Sequence, residues 1–302
     1  MAYLLQLRGR SGASPLFLAP LPFAVSGCTT AESPIVLTKY LDPLPIPPVA
    51  TPTSGTPGGT ATYDFTLKVS KATLHSELPQ TTVWGFDDGT HGAGFLGPTI
   101  EARTNQPVTV NWINDLRVFD THQLRTSHYL EVDTCVPDAV NDARVVFHLH
   151  GGHVPAAVDG YPENTIPPGP TPVPYLYPNN QQAGFLWYHD HALGITRLNV
   201  YMGLAGLYYM RDSVEDALNL PTGANDLPLI LQDRRFNPDG TFRYPAEWED
   251  HVFGDKILVN GRVWPYLCVA KGKYRFRIVN GSTSRVYTLS LLPPSGVLTF
   301  TV

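Results

Sequence analysis

Four of the ten histidines in this 302-residue sequence stand in two His-x-His pairs, His148-Leu149-His150 and His189-Asp190-His191. Alternate side chains of an extended strand share a face, so the members of each pair point the same way, about 7 Å apart at ~3.3 Å per residue. Two neutral imidazoles at that spacing can serve two neighbouring metal ions or bracket one. Gly151 and Gly152 follow the first pair and remove side-chain bulk just beyond it, leaving room for metals and a small ligand near the backbone. A lone histidine is most simply a hydrogen-bonded structural residue, but two such pairs are a stronger signal. Four imidazoles without a thiolate suit copper, zinc, iron or nickel rather than calcium or magnesium. Asp190 either helps to orient its neighbours or faces solvent. His153 is out of phase with the strand and reads as a structural or loop residue. His75, His91, His122, His128 and His251 are scattered and read as surface or turn histidines.

The elements that must carry these pairs read as strands. Tyr63 to Val69 alternates in part, and Gln106 to Ile113 more strictly, with Val108, Val110 and Trp112 on one face. Further strand-like runs are Arg144 to His150, Gly184 to His189, Gly203 to Met210, Asp226 to Leu231, Lys256 to Val259 and Lys273 to Val279. Turn sequences separate them: Asp87-Asp88-Gly89, Pro167-Pro168-Gly169-Pro170, Asn237-Pro238-Asp239-Gly240 and Asn260-Gly261. Many short strands between such turns indicate an all-β fold of β-sandwiches or small barrels with Greek-key connections. Residues 213 to 220 are the best short-helix candidate, with Ser213 as the cap.

Apolar residues make up 43% of the chain and charged residues 16%, which argues against disorder driven by self-repulsion. The net charge is −5 without a long basic run, so neither nucleic acid nor an anionic membrane surface is expected as a partner. The three cysteines, Cys28, Cys135 and Cys268, lack the paired spacing of a zinc ribbon. Residues 1–28 read as an export leader. Arg8 and Arg10 precede the apolar stretch Pro15 to Val25, which is too short to span a bilayer, and Val25-Ser26-Gly27-Cys28 resembles a lipoprotein cleavage box. An exported protein, lipid-anchored at Cys28, is the expectation. Residues 29–62 read as an extended linker, Pro/Thr/Gly-rich from residue 43 onward.

The strings HLHGGH, DGYPE, LWYHDHALGITRLNVYMGLAGLY, ILVNGRVWPYL and KYRFRIVNGSTSR together resemble the multicopper oxidases, in their spore-coat laccase and bilirubin oxidase branch. The likeness runs in order from about Tyr63 to the last residue, and Gly97-Pro98-Thr99-Ile100-Glu101 is similar to an early strand of the family's first domain. It implies a cupredoxin-like domain over residues 63–212 and the start of a second over 213–302. It also implies copper as the cofactor, with dioxygen and a small reducing substrate as partners. By resemblance His148 matches a type 2 copper ligand, and His150, His189 and His191 match ligands of the paired type 3 coppers. Asp159, in Asp159-Gly160-Tyr161, matches an acidic residue placed to relay protons. Without the resemblance it reads as a turn residue before Gly160.

The family pattern continues in a third cupredoxin domain whose His-Cys-His segment supplies the type 1 copper. No histidine lies beyond His251, and Cys268 has no flanking histidine. The expectation is a chain truncated before that domain, holding half of a trinuclear site and inactive alone. Two other readings compete. One is a non-catalytic copper-binding module. The other is a binuclear zinc hydrolase, because His148-x-His150-x-Gly152-His153 nearly matches an H-x-H-x-D-H string. Gly152 stands where that chemistry needs an aspartate.

Overall fold

A computed structural model describes residues 5–9, 35–291 and 298–301. In chain order the elements are β1 (Leu5–Gly9), β2 (Ser54–Gly55), β3 (Ala61–Ala72), β4 (Thr81–Asp87), β5 (Ile100–Arg103), β6 (Val108–Asn114), β7 (Phe147–His150), β8 (Val173–Tyr177) and β9 (Gly184–Asp190). Helix α1 (Thr196–Met202), β10 (Ala205–Arg211) and α2 (Ser213–Ala217) follow. The second part holds β11 (Asp226–Phe236), β12 (Phe242–Arg243), β13 (Lys256–Val259), β14 (Arg262–Val263), β15 (Arg275–Asn280), β16 (Tyr287–Leu291) and β17 (Leu298–Thr301). The fold is all-β, as the turn-punctuated sequence implies, with two short α-helices among the described residues.

The first part is a two-sheet sandwich. One sheet runs β2-β3-β6-β8 with β4 also on β3, and the other runs β5-β10-β9-β7. Each sheet contains one parallel pair, β3 with β6 and β5 with β10, which only crossover connections can make. Strict alternation builds the layer between them. Tyr63, Phe65 and Leu67 of β3 are fully buried, as are Val108, Val110 and Trp112 of β6, the face read from the sequence. From the facing sheet come Phe147, Leu149, Tyr188 and Tyr208. Trp112 stacks on Phe147 with ring centroids 4.1 Å apart. Burial of each such side chain contributes about 1.5–3 kcal/mol, so the inward residues of β7 and β9 fix which way the alternate residues point.

The second part begins a similar arrangement. β11 pairs in parallel with β15 and antiparallel with β13, as β3 pairs with β6 and β4. The two-residue turn Asn260-Gly261, both at positive φ, joins β13 to β14. Ile230 and Val279 pack on Leu207 and Tyr209 of β10, closing part of the outer face of that sheet.

Residues 35–62, within the stretch read as a linker, are extended and docked along both parts. Leu44 N–H donates to Tyr266 O (2.7 Å) and Ala50 N–H to Thr99 O (2.8 Å). Of the expected leader, Leu5–Gly9 pairs with β16. The apolar stretch Pro15 to Val25 and Cys28 lie outside the described residues. Cys135 and Cys268 are free and exposed. Among the described residues no helix is long and apolar enough to cross a membrane.

Three expectations need correction. The cap of α2 is Asp212, whose carboxylate accepts the Glu215 N–H at 2.7 Å, rather than Ser213, which is already helical. His75 and His128 are buried rather than at the surface. His75 is taken up by Thr38 O and the Glu77 N–H, and His128 by Leu130 and Asn199. Helix α1, unforeseen in the sequence, packs Leu198, Tyr201 and Met202 into the core directly after the second histidine pair.

Candidate metal centre

β7 sends Phe147 and Leu149 inward, so His148 and His150 emerge on the opposite face. β9 sends Tyr188 and Asp190 inward, leaving Trp187 and His189 on that same outer face. The strands are antiparallel with His148 directly opposite His189 and His150 opposite Trp187. His191 follows the last residue of β9, and its N–H donates to Val146 O at 2.8 Å. The result is one cluster of four rings. His148 lies 5.6, 5.4 and 5.1 Å from His150, His189 and His191 between centroids, and His150–His189 is 5.4 Å.

The donor atoms of His148, His150 and His189 fall within 4.8 Å of one another. Hydrogen bonds orient two of these rings. His148 Nδ1–H donates to Asp159 O (2.6 Å) and His189 Nδ1–H to Asp190 O (2.7 Å). Each ring is then left with a lone pair on Nε2. His150 Nδ1 and His189 Nε2 are 3.2 Å apart. Two donors each about 2.0 Å from one ion have that separation at a near-tetrahedral angle. His191 Nδ1 is buried and has no hydrogen-bond partner among the described residues. An orphaned ring nitrogen, two freed lone pairs and a donor pair at chelating distance fit metal ions held by imidazole.

Burial also sets the charge state. It holds the His189 pKa down at about 4, and lowers His150 and His191, with the neighbouring His148 adding to the effect in all three. These rings stay neutral at pH 7, as metal coordination requires. Trp187 covers one side of the cluster, 4.3 Å from the His189 ring and 5.5 Å from His150. His150 is exposed, so the cluster opens to solvent at that ring.

Asp159 stands where its chain bends back onto β7. Its carbonyl holds His148, and its side chain, half exposed, brings Oδ1 to 3.3 Å from His148 Nδ1. The bend depends on Gly160 at φ +80°, because a Cβ there would lie 2.2 Å from Phe147 O. His153 is exposed in the loop after β7, its N–H donating to Gln181 Oε1.

Asp190, left open between two readings in the sequence, is fully buried and does not face solvent. Burial raises its pKa to about 7, against hydrogen bonds from Asn199 and the N–H groups of Ala192 and Val146. Asn199 also meets His128 Nε2 at 3.1 Å, and His128 packs on Trp84 with centroids 4.5 Å apart. This polar chain behind the cluster was missed in the sequence. Its signal was available: Asp190 shares the phase of Tyr188, the inward face.

With the geometry in place, similarity to known proteins settles the lineage. A family model described as multicopper oxidase matches residues 123–215, a span that contains all four histidines. A laccase of Bacillus stratosphericus is 40% identical over 279 residues, covering 84% of this chain and 52% of that protein. The chain belongs to the multicopper oxidase family. A laccase of Bacillus subtilis is 39% identical, covering 85% of this chain and 52% of that protein. Among solved structures, a laccase from Pediococcus acidilactici superposes with a TM-score of 0.67 at 26% identity, covering 89% of this chain and 55% of that one. The chain thus spans about half the length of the relatives it matches. Multicopper oxidases use copper, and the imidazole cluster is a suitable place for it. The binuclear zinc hydrolase reading falls with this assignment, and also with Gly152. Any Cβ there would lie 2.9 Å from Leu149 side-chain atoms and 3.1 Å from Leu149 O, so an aspartate could not be seated without displacing the buried Leu149 side chain.

Proposed function

We propose that this chain supplies the first-domain half of the dioxygen-reducing copper centre of a laccase-type oxidase acting on a small reducing substrate. The observation that carries this reading is the convergence of two His-x-His pairs on one open face. His148 would be the type 2 ligand, and His150, His189 and His191 would be ligands of the type 3 pair. Copper bound there would supply one-electron redox chemistry toward dioxygen.

The residues of the chain divide the remaining work. Asp159 O fixes the tautomer of His148 and so aims Nε2 outward. The Asp159 carboxylate lies between solvent and that ring, a position from which it can pass protons inward. Burial keeps His150, His189 and His191 neutral, and Trp187 shields one flank from water. No histidine follows His251 in sequence and none flanks Cys268, so these 302 residues lack the ligand set of a type 1 copper.

A copper-holding module without turnover is therefore the reading for the chain by itself. Cu(II) titration of the purified protein should show histidine-ligated cupric EPR signals, no blue cupric–thiolate absorption and no oxidation of a phenolic dye. Loss of the EPR signals in a His148→Ala/His189→Ala double variant would support the assignment. A blue band, or turnover by the chain alone, would overturn it. For the intact enzyme we further propose export from the cytoplasm, since copper loading and a Cys28 anchor both suit that location.

A further inference from the structure

We propose that Asp190 is the positioning residue of the centre, holding His191 in place beside His148. The inference deepens the metal-binding reading and rests on it. β9 ends at Asp190, so the ladder that sets His148 against His189 does not extend to His191. Nor is the His191 ring fixed through its own nitrogen. His148 and His189 each donate Nδ1–H to a carbonyl, whereas His191 Nδ1 has no partner. Besides its contacts with the His148 and His189 rings, the place of that ring depends on its backbone.

That backbone is held by its own N–H bond to Val146 O and, on either side of it, by one carboxylate. Asp190 Oδ1 accepts the Val146 N–H at 3.0 Å, and Oδ2 accepts the Ala192 N–H at 3.0 Å. The His191 N–H, between them, donates to Val146 O at 2.8 Å. Val146 precedes β7 and Ala192 follows His191, so Asp190 clips the start of one ligand strand to the far end of the other segment. The clip is itself braced. Asp190 N–H donates to Leu204 O, and Asn199, which hydrogen-bonds the carboxylate, also donates to Arg144 O at 3.1 Å. Both carboxylate oxygens are used as acceptors from N–H groups. Asparagine would keep one acceptor and turn an NH2 against the other N–H donor, and alanine would keep neither.

The test uses the full 302-residue chain labelled with 15N-histidine, first metal-free and then titrated with Co(II) alone. Asp190→Ala and Asp190→Asn are compared with the wild type and with Val83→Ala, a fully buried truncation in β4 on the other sheet. In the metal-free state both Asp190 variants should shift the His191 imidazole signals. His75, anchored by Thr38 O and the Glu77 N–H, should not move. With Co(II), Asp190→Ala should weaken binding roughly 10–100-fold, as loss of a ligand-orienting partner does elsewhere, and Val83→Ala should bind as the wild type. Unchanged His191 signals in the Asp190 variants would overturn the proposal, as would an equal shift in Val83→Ala. Should Asp190→Ala not fold, Asp190→Asn decides by the same signals. A wild type that takes up no Co(II) refutes the metal-binding reading instead, and the metal-free spectra still judge Asp190.

Discussion

The buried His128 makes the scaffold of the centre sensitive to acid, by an amount that can be worked out. Its pKa is pushed down from 6.5 to about 4, chiefly by burial, against hydrogen bonds that the ring can donate to Leu130 O and Asn199 Oδ1. A histidine with a folded-state pKa below its unfolded value is neutral in the fold and charged in the unfolded chain between those two pH values. Its contribution to stability is whole above about pH 6.5 and is lost as pH falls toward 4. At pH 5 the loss is about 2 kcal/mol, and below pH 4 it approaches about 3 kcal/mol. Asp190, raised to about 7, works in the opposite direction over the same range. The informative quantity is therefore a difference between two proteins. His128→Phe keeps a ring against Trp84 but carries no titrating group. Urea unfolding of metal-free protein at pH 7 and pH 5 should show the wild type losing about 2 kcal/mol more than His128→Phe. Parallel losses, within about 0.5 kcal/mol, would refute the reasoning, because His128 would then be protonated in the fold or already neutral when unfolded.

Two other outcomes follow from packing. Gly160→Ala places a Cβ against Phe147 O at positive φ and should cost upward of about 1–2 kcal/mol. It should also free the Nδ1 proton of His148 from Asp159 O, seen as faster exchange of that proton in NMR. Trp112→Ala removes the ring stacked on Phe147 beneath the first histidine pair; thermal unfolding should report about 3–5 kcal/mol lost, with the His148 and His150 signals broadened.

The strands of the site were legible because their chemistry is periodic. Val108, Val110 and Trp112 alternate with polar residues, and the same period 2 puts His148 with His150 on one face. Lys256–Val259 was found with its observed limits, between turn sequences. What was hidden had no local signature. β4 is buried at nearly every position, so it shows no alternation, and β8 lies in a proline-rich stretch that reads as loop. Helix α1 is seven residues long without a side-chain cap, and its reason for being helical is tertiary. His75 and His128 looked like surface residues because their partners, at Thr38 and Asn199, lie far away in sequence. For Asp190 the phase was visible, but the clip between Val146 and Ala192 needed the register of β7 on β9.

Two of the last carbonyls of helix α1 accept from a residue of the second part. Arg234, almost wholly buried, donates Nε–H to Tyr201 O (3.0 Å) and Nη2–H to Val200 O (3.1 Å), while its guanidinium lies 4.1 Å over the Tyr201 ring. During synthesis this has an order built into it. The histidine pairs leave the ribosome first, and α1, which carries Asn199 to the back of the cluster, follows. The Gly203 and Leu204 N–H groups donate to Val200 O and Asn199 O, but Tyr201 O waits for its Arg234 donor until β11 has been made. A nascent chain cut before Arg234 therefore presents the four clustered imidazoles, His148, His150, His189 and His191, on a scaffold that still lacks this brace.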